Sequence, residues 1–162
     1  MQNREAALSA LSALNIPYEL VEHKAVYTID EVKELGLMEQ GLVCKNLFLR
    51  DAKGKRHYIV VMDSDKKADL EKIGLDLAST RLSFASESRL QKILGLERGA
   101  VTPLGIINDL SHEVTVVFDD ALKGEKKIGI HPNDNTATIW LDFESLERLV
   151  SHYGNEVCYI KV

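Results

Sequence analysis

The sequence predicts an α+β fold over residues 1–162: a mixed, largely antiparallel sheet with helices packed around it. Three observations carry that expectation. Apolar residues recur at helical spacing in some segments and in short β-branched runs in others. Several of the strand-like runs come in pairs joined by turn signals, which favours antiparallel pairing. No repeat, low-complexity tract or Pro/Gly/Ser linker separates the elements, and 162 residues at 45% apolar content are enough for one sizeable core, so a single domain is expected.

The elements follow in order. Residues 4–14 carry Ala7, Leu8, Leu11 and Leu14 at helical spacing, and Asn15-Ile16-Pro17 ends them. A short strand is predicted over 18–21. Thr28-Ile29-Asp30-Glu31 is a capping box, in which the Thr28 hydroxyl accepts from the Glu31 amide and Glu31 reaches back. The helix it opens runs to about Leu35 and closes at Gly36. Strands over 46–50 and 57–62 flank the turn signal Asp51-Ala52-Lys53-Gly54-Lys55. Helices are predicted over 67–73 and 86–94, the second with Ser86 as N-cap and Gly95 as stop. Residues 114–118 form a β-branched strand. A second hairpin joins 127–130 to 136–141 across Pro132-Asn133-Asp134-Asn135. Asp142 caps a last helix whose Leu146, Leu149, Val150 and Tyr153 share one face, Gly154 ends it, and 157–160 supplies the final strand.

Composition removes several function classes. The net charge of −5 argues against a protein that coats nucleic acid through a broad basic field, and leaves room only for a local grip by a few cations. No stretch approaches the roughly 18 uninterrupted apolar residues a membrane helix needs. Met1-Gln2-Asn3-Arg4-Glu5 lacks a charged-then-apolar leader pattern. Cys44 and Cys158 form no CxxC pair, which points to a reducing cytoplasm rather than a disulfide framework. The five histidines show no HxxxH or HExxH spacing, Asp63-Ser64-Asp65 lacks the rest of a calcium loop, and no phosphate-binding glycine loop is present. Neither a metal nor a cofactor is expected. Cys44 reads as a small buried hydrophobe, since no histidine or acid stands beside it in a nucleophile's arrangement.

Three strings invite a functional reading. Val43-Cys44-Lys45-Asn46-Leu47-Phe48-Leu49-Arg50 places a cation and an amide inside an apolar run, where an unpaired charge is expensive. Gly99-Ala100-Val101-Thr102-Pro103 continues to Asn108-Asp109, and His131-Pro132-Asn133 continues through Asn135 to Thr138. Taken singly, each has an ordinary explanation. Lys45 reads as a snorkelling surface lysine, Asn46 as a turn residue and His131 as an extended residue before proline. A glycine and a proline four apart occur in any loop.

Together and in this order, the strings resemble the YbaK/ProX family of aminoacyl-tRNA editing deacylases, with a likeness running over essentially the whole chain. The resemblance implies the editing-domain fold and hydrolysis of an amino acid wrongly esterified to the 3′ adenosine of tRNA. It further implies a role for each matching residue. Lys45 holds the terminal adenosine or its phosphate, and Asn46 hydrogen-bonds the aminoacyl group or sugar. Gly99 allows close backbone approach, Pro103 fixes the loop, and exposed amides among Ala100, Val101 and Thr102 meet the ester carbonyl as it becomes an oxyanion. His131 shapes the amino-acid pocket or orients water, with a general-base role ranked lower because a ribose hydroxyl of the substrate assists in this family. Asn108, Asp109 and Asn135 complete the substrate-binding set. Ala100 stands where the family more often carries serine. The second and third strings look closest to the ProX branch, so the expected substrate is alanyl-tRNA(Pro). Cysteinyl-tRNA(Pro) is the alternative substrate, and a non-catalytic tRNA-end or amino-acid-sensing module the alternative class. Expected partners are tRNA and prolyl-tRNA synthetase, with no membrane, and the expected state is a monomer.

Overall fold

The computed structural model describes residues 2–162; Met1, part of the N-terminal string read for a leader pattern, lies outside the described residues. The helices are α1 (Gln2–Ala13), α2 (Ile29–Glu34), α3 (Leu70–Asp76), α4 (Glu87–Leu94) and α5 (Phe143–Tyr153). The strands are β1 (Glu19–Glu22), β2 (Leu42–Arg50), β3 (His57–Asp63), β4 (Ser83–Phe84), β5 (Val114–Asp119), β6 (Ile128–Ile130), β7 (Ala137–Leu141) and β8 (Val157–Ile160). No helix among the described residues is long and apolar enough to cross a membrane.

All eight strands join one sheet in the order β1-β7-β6-β2-β3-β5-β8, with β4 added against β2. Both predicted hairpins form, β2 with β3 and β6 with β7, and β1 adds antiparallel to β7. The remaining long-range pairs, β2–β6, β3–β5 and β5–β8, are parallel. The sheet is mixed and antiparallel in most of its pairs, as expected. Which strands cross over in parallel was not legible locally, because parallel neighbours are set by packing at long sequence separation.

Central strand β3 shows how the sheet is held. Ile59 and Val61 belong to a core shared with α1, α4 and α5, while Tyr58, Val60 and Met62 face a smaller core with Ile73 of α3. A strand buried on both faces has no polar alternation, and each fully buried aliphatic there is worth roughly 1.5–3 kcal/mol. A third cluster of Val26, Val32, Leu37, Val43 and Trp140 seats α2 over the β6–β7 end.

Helix ends follow the capping residues closely. Ser86 accepts from the Arg89 amide at 3.2 Å and Asp142 from the Ser145 amide at 2.7 Å, with Gly95 and Gly154 left-handed at the far ends. Thr28 accepts from the Glu31 amide at 3.2 Å, but Glu31 takes the Thr28 hydroxyl at 3.3 Å instead of reaching the backbone. The helix expected at 67–73 lies at Leu70–Asp76, because Asp69 accepts from the Lys72 amide and starts it there. Short 3-10 turns at Leu37–Glu39, Pro103–Asn108 and Asp120–Leu122, and the two-residue β4, carry too few residues to show a period and were not foreseen.

Candidate active site

Strand β2 changes partners midway along one edge. It pairs with β6 only at Leu42 and Val43, and with β4 only at Leu49 and Arg50. Between these, the edge from Cys44 to Leu47 is left without a neighbouring strand. Beyond Val43 the parallel strands β2 and β6 part, and a crevice opens between the end of β6 and the first half of β2. The crevice is a pocket of about 250 Å³ whose wall includes Cys44, Lys45 and Asn46 from β2 and Gly129, Ile130 and His131 from β6 and its exit. The 26–32 segment covers it, and Gly99 and Val101 close the side. Alternation sends Lys45 and Asn46 to opposite faces of β2. Both reach one pocket because the strand edge between them is open.

Three polar groups of this pocket are left open. Lys45 is half-buried and has no carboxylate within ion-pair distance among the described residues. The Asn46 Oδ1 is buried and accepts no hydrogen bond from the described residues. His131 Nδ1 lies 2.9 Å from the Ala137 carbonyl. A carbonyl can only accept, so Nδ1 carries the proton and the Nε2 lone pair is left over. Burial pushes the His131 pKa below the ordinary imidazole value, against the opposing pull of the Ala137 bond, so the ring is neutral near pH 7. His23 stands behind it, ring centroids 6.4 Å apart, bonded to Thr138 Oγ1 at 2.9 Å. Burial, reinforced by the Asp63 charge, drives the Cys44 thiol far above its usual range, which leaves no thiolate for nucleophilic work.

Two glycines let the walls close. Gly99 has φ +88°, and a Cβ there would lie 2.7 Å from Tyr27 Cδ1 and 3.1 Å from Asn135 Nδ2. Gly129 needs the space instead: a Cβ would meet Trp140 Cζ3 at 2.7 Å. Asn135 holds the cover in place, donating to the Val26 carbonyl at 3.0 Å while its own carbonyl accepts from the Val26 amide at 3.3 Å.

Of the residues singled out from the sequence, the structure brings Lys45, Asn46, Gly99, Val101 and His131 to one pocket, with Asn135 directly behind Gly99. The others sit elsewhere. Ala100 is buried and its amide donates to the Glu97 carbonyl, whereas the Gly99 and Val101 amides have no acceptor among the described residues. Thr102 is fully buried, and its hydroxyl accepts from the Leu104 amide to start the 3-10 turn that Pro103 enters. Asn108 lies on the surface and donates to the Leu94 carbonyl at 2.8 Å. Asp109 is buried and accepts from the amides of Glu113 and Val114 and from Asn155.

Sequence reasoning assigned no site role to Val26, Tyr27, Ile29, Val32 or Thr138, which also line the wall. Thr28 was read only as a cap, and no local pattern distinguishes a helix N-terminus that roofs a pocket from one that does not. Among the described residues, no group of three or more His, Cys, Asp or Glu side chains is placed to hold a metal ion.

Comparison with known proteins bears directly on this site. A family model for the aminoacyl-tRNA editing domain matches residues 23–149, the stretch that contains every pocket residue. Over 155 residues the chain is 49% identical to the prolyl-tRNA editing protein ProX of Acetoanaerobium sticklandii, covering 96% of this chain and 94% of that one. It is 35% identical over 150 residues to prolyl-tRNA synthetase associated domain-containing protein 1 of Mus musculus, covering 90% and 88% of the two chains. A solved structure described as a candidate trans-editing enzyme for prolyl tRNA synthetase superposes with a TM-score of 0.71 at 19% identity, over 100% of this chain and 98% of that one, a likeness of fold.

Proposed function

The chain belongs to the aminoacyl-tRNA editing domain family, and from that premise we propose that it is a deacylase acting in trans on mischarged tRNA(Pro), with alanyl-tRNA(Pro) as its preferred substrate. The observation that carries the reading is the set of unmatched groups in one small pocket: the Lys45 ammonium, the Asn46 Oδ1 and the His131 Nε2. Each complements a part of an aminoacyl ester. The ammonium attracts the terminal phosphate or the ester carbonyl, whose oxygen becomes negative in the transition state. The amide oxygen accepts from the α-ammonium of the amino acid. The neutral imidazole accepts from the attacking water or from a ribose hydroxyl.

The reaction asks little more of the protein. Water adds to the ester carbonyl, the carbon–oxygen bond to ribose breaks, and the leaving ribose oxygen takes up a proton. The ester is already activated, so positioning and oxyanion stabilisation supply most of the rate. The free amides of Gly99 and Val101 are the backbone donors suited to the oxyanion.

Substrate choice follows from the lining. Val26, Ile29, Val32, Val43 and Ile130 give the space an apolar wall, which suits an aliphatic side chain. Cysteine differs from alanine by one sulfur atom, a change that a hydrophobic wall discriminates poorly. The preference for alanine therefore rests on the strings around Gly99 and His131. Work of this kind belongs where tRNA is charged, in the cytoplasm beside prolyl-tRNA synthetase.

The test is deacylation of separately prepared alanyl-, cysteinyl- and prolyl-tRNA(Pro). The expected order is alanyl well above cysteinyl, with prolyl untouched. Faster cysteinyl release would reassign the substrate, and no release from any of the three would leave a non-catalytic sensing module.

A further inference from the structure

The catalytic pocket does not end at Gly99. A second depression of about 440 Å³ continues from it, and the two share Asn46, Gly99 and Val101. Phe84, Glu87 and Arg98 form part of its wall. The backbone under Phe84 is fixed: it pairs with Leu49 of β2, and the Ala85 amide donates to the Phe48 carbonyl at 2.9 Å. Phe84 is nonetheless 62% exposed. Single exposed apolar side chains are ordinary. Among the described residues, however, Tyr27 and Phe84 are the exposed large apolar side chains that line these two depressions; Leu20, Leu75, Leu110 and Tyr159 lie outside both.

Charge supports the same reading. The Arg98 side chain is 82% exposed, and its carboxylate contact is Glu87 at 3.7 Å, itself 72% exposed. A pair that open holds weakly in water and gives up its guanidinium to a phosphate, which accepts two hydrogen bonds at once. An aromatic face and an available guanidinium along a track leading out of an ester site are what a single-stranded nucleic-acid end requires. The base stacks on the ring and the backbone meets the cation. The chain's acidic balance makes such a local grip the available means of holding the polymer.

We propose that this groove seats the nucleotide preceding the terminal adenosine of the acceptor end, its base stacked on Phe84 and its phosphate on Arg98. The inference rests on the deacylase reading, because only a polymer whose last residue fills the catalytic pocket continues along this track.

Two substrates separate the claims: alanyl-tRNA(Pro), and alanyl-adenosine, which carries the same ester but ends at the terminal nucleoside. Phe84→Ala is expected to raise KM for alanyl-tRNA(Pro) roughly tenfold, the scale of one lost stacking contact, with kcat unchanged. On alanyl-adenosine its kcat/KM should equal that of the wild-type protein. Phe84→Tyr should restore the tRNA KM, and Arg98→Gln should raise it while flattening its salt dependence. An unchanged tRNA KM in Phe84→Ala, or an equal loss on both substrates with a lowered Tm, would overturn the groove assignment and leave the deacylase reading standing. A wild-type protein that hydrolyses neither substrate would overturn the deacylase reading and this inference with it.

Discussion

Gly99 and Val101 line the pocket with amides that find no acceptor among the described residues, whereas Thr102 and Asp109, from the same string, are buried with their side chains bonded. Two half-buried lysines differ in the same way. Lys66 binds the buried Asp119 at 2.6 Å, while Lys45 meets no carboxylate among the described residues. The contrast teaches how to read a contiguous motif. Where polar groups are fully satisfied, the residues hold the fold; where they are left open beside a cavity, they await a ligand. A string can change from one role to the other within a single residue.

Breaking the front should cost activity, and breaking the back should cost stability. Lys45→Ala is expected to have the largest effect on turnover, a loss of roughly a hundredfold or more in kcat/KM for alanyl-tRNA(Pro), comparable to removing an oxyanion donor. Its Tm should stay close to wild type, since no ion pair is broken, and near-normal turnover in a folded Lys45→Ala protein would remove Lys45 from the site. Asp109→Ala is the mirror image. It strips the acceptor from the Glu113 and Val114 amides and from Asn155, so urea unfolding should show a loss of roughly 2–4 kcal/mol. Activity per folded molecule should survive; a dead but stable Asp109→Ala protein would blur the front–back division.

Gly99→Ala tests the seam itself. The left-handed backbone costs an alanine about 1 kcal/mol, and its Cβ must displace the Tyr27 ring. A loss of about tenfold in kcat/KM is expected, larger than the accompanying change in stability would account for. Parallel losses in Tm and rate would assign Gly99 to folding alone. For Cys44→Ala a packing loss of about 1 kcal/mol is expected with deacylation retained, and a well-folded but inactive variant would restore the nucleophile reading.

The smallest expected effect is on stability against pH. Above the unfolded histidine value of about 6.5, His131 is neutral in both states and contributes nothing to the balance. Below it, the unfolded chain takes up a proton that the buried ring resists, so stability falls as pH drops toward the lower folded value. His57, lowered by burial and by neighbouring Arg89, shares this window. Urea titrations at pH 7.5 and 5.5 should show His131→Gln flattening part of the slope; an unaltered slope would mean that the ring is already hydrated.

Much of this molecule was legible locally. Ser86, Asp142, Gly95 and Gly154 marked helix ends because capping involves atoms within a few residues of one another. The hairpins β2–β3 and β6–β7 were visible for the same reason. The three strings pointed to the residues that meet at Lys45, Gly99 and His131, although nothing in their spacing placed them in one crevice. Tertiary structure alone decided that β2 leaves β6 after Val43, which opens the strand edge where the pocket forms. It also decided that Tyr27 and the start of α2 roof that pocket, and that Thr102 and Asp109 turn inward. Caps and turns are governed by near neighbours in sequence, and so can be read from it. A cavity is the space left between residues that run from 26 to 138, and its walls depend on contacts that no short stretch of sequence contains.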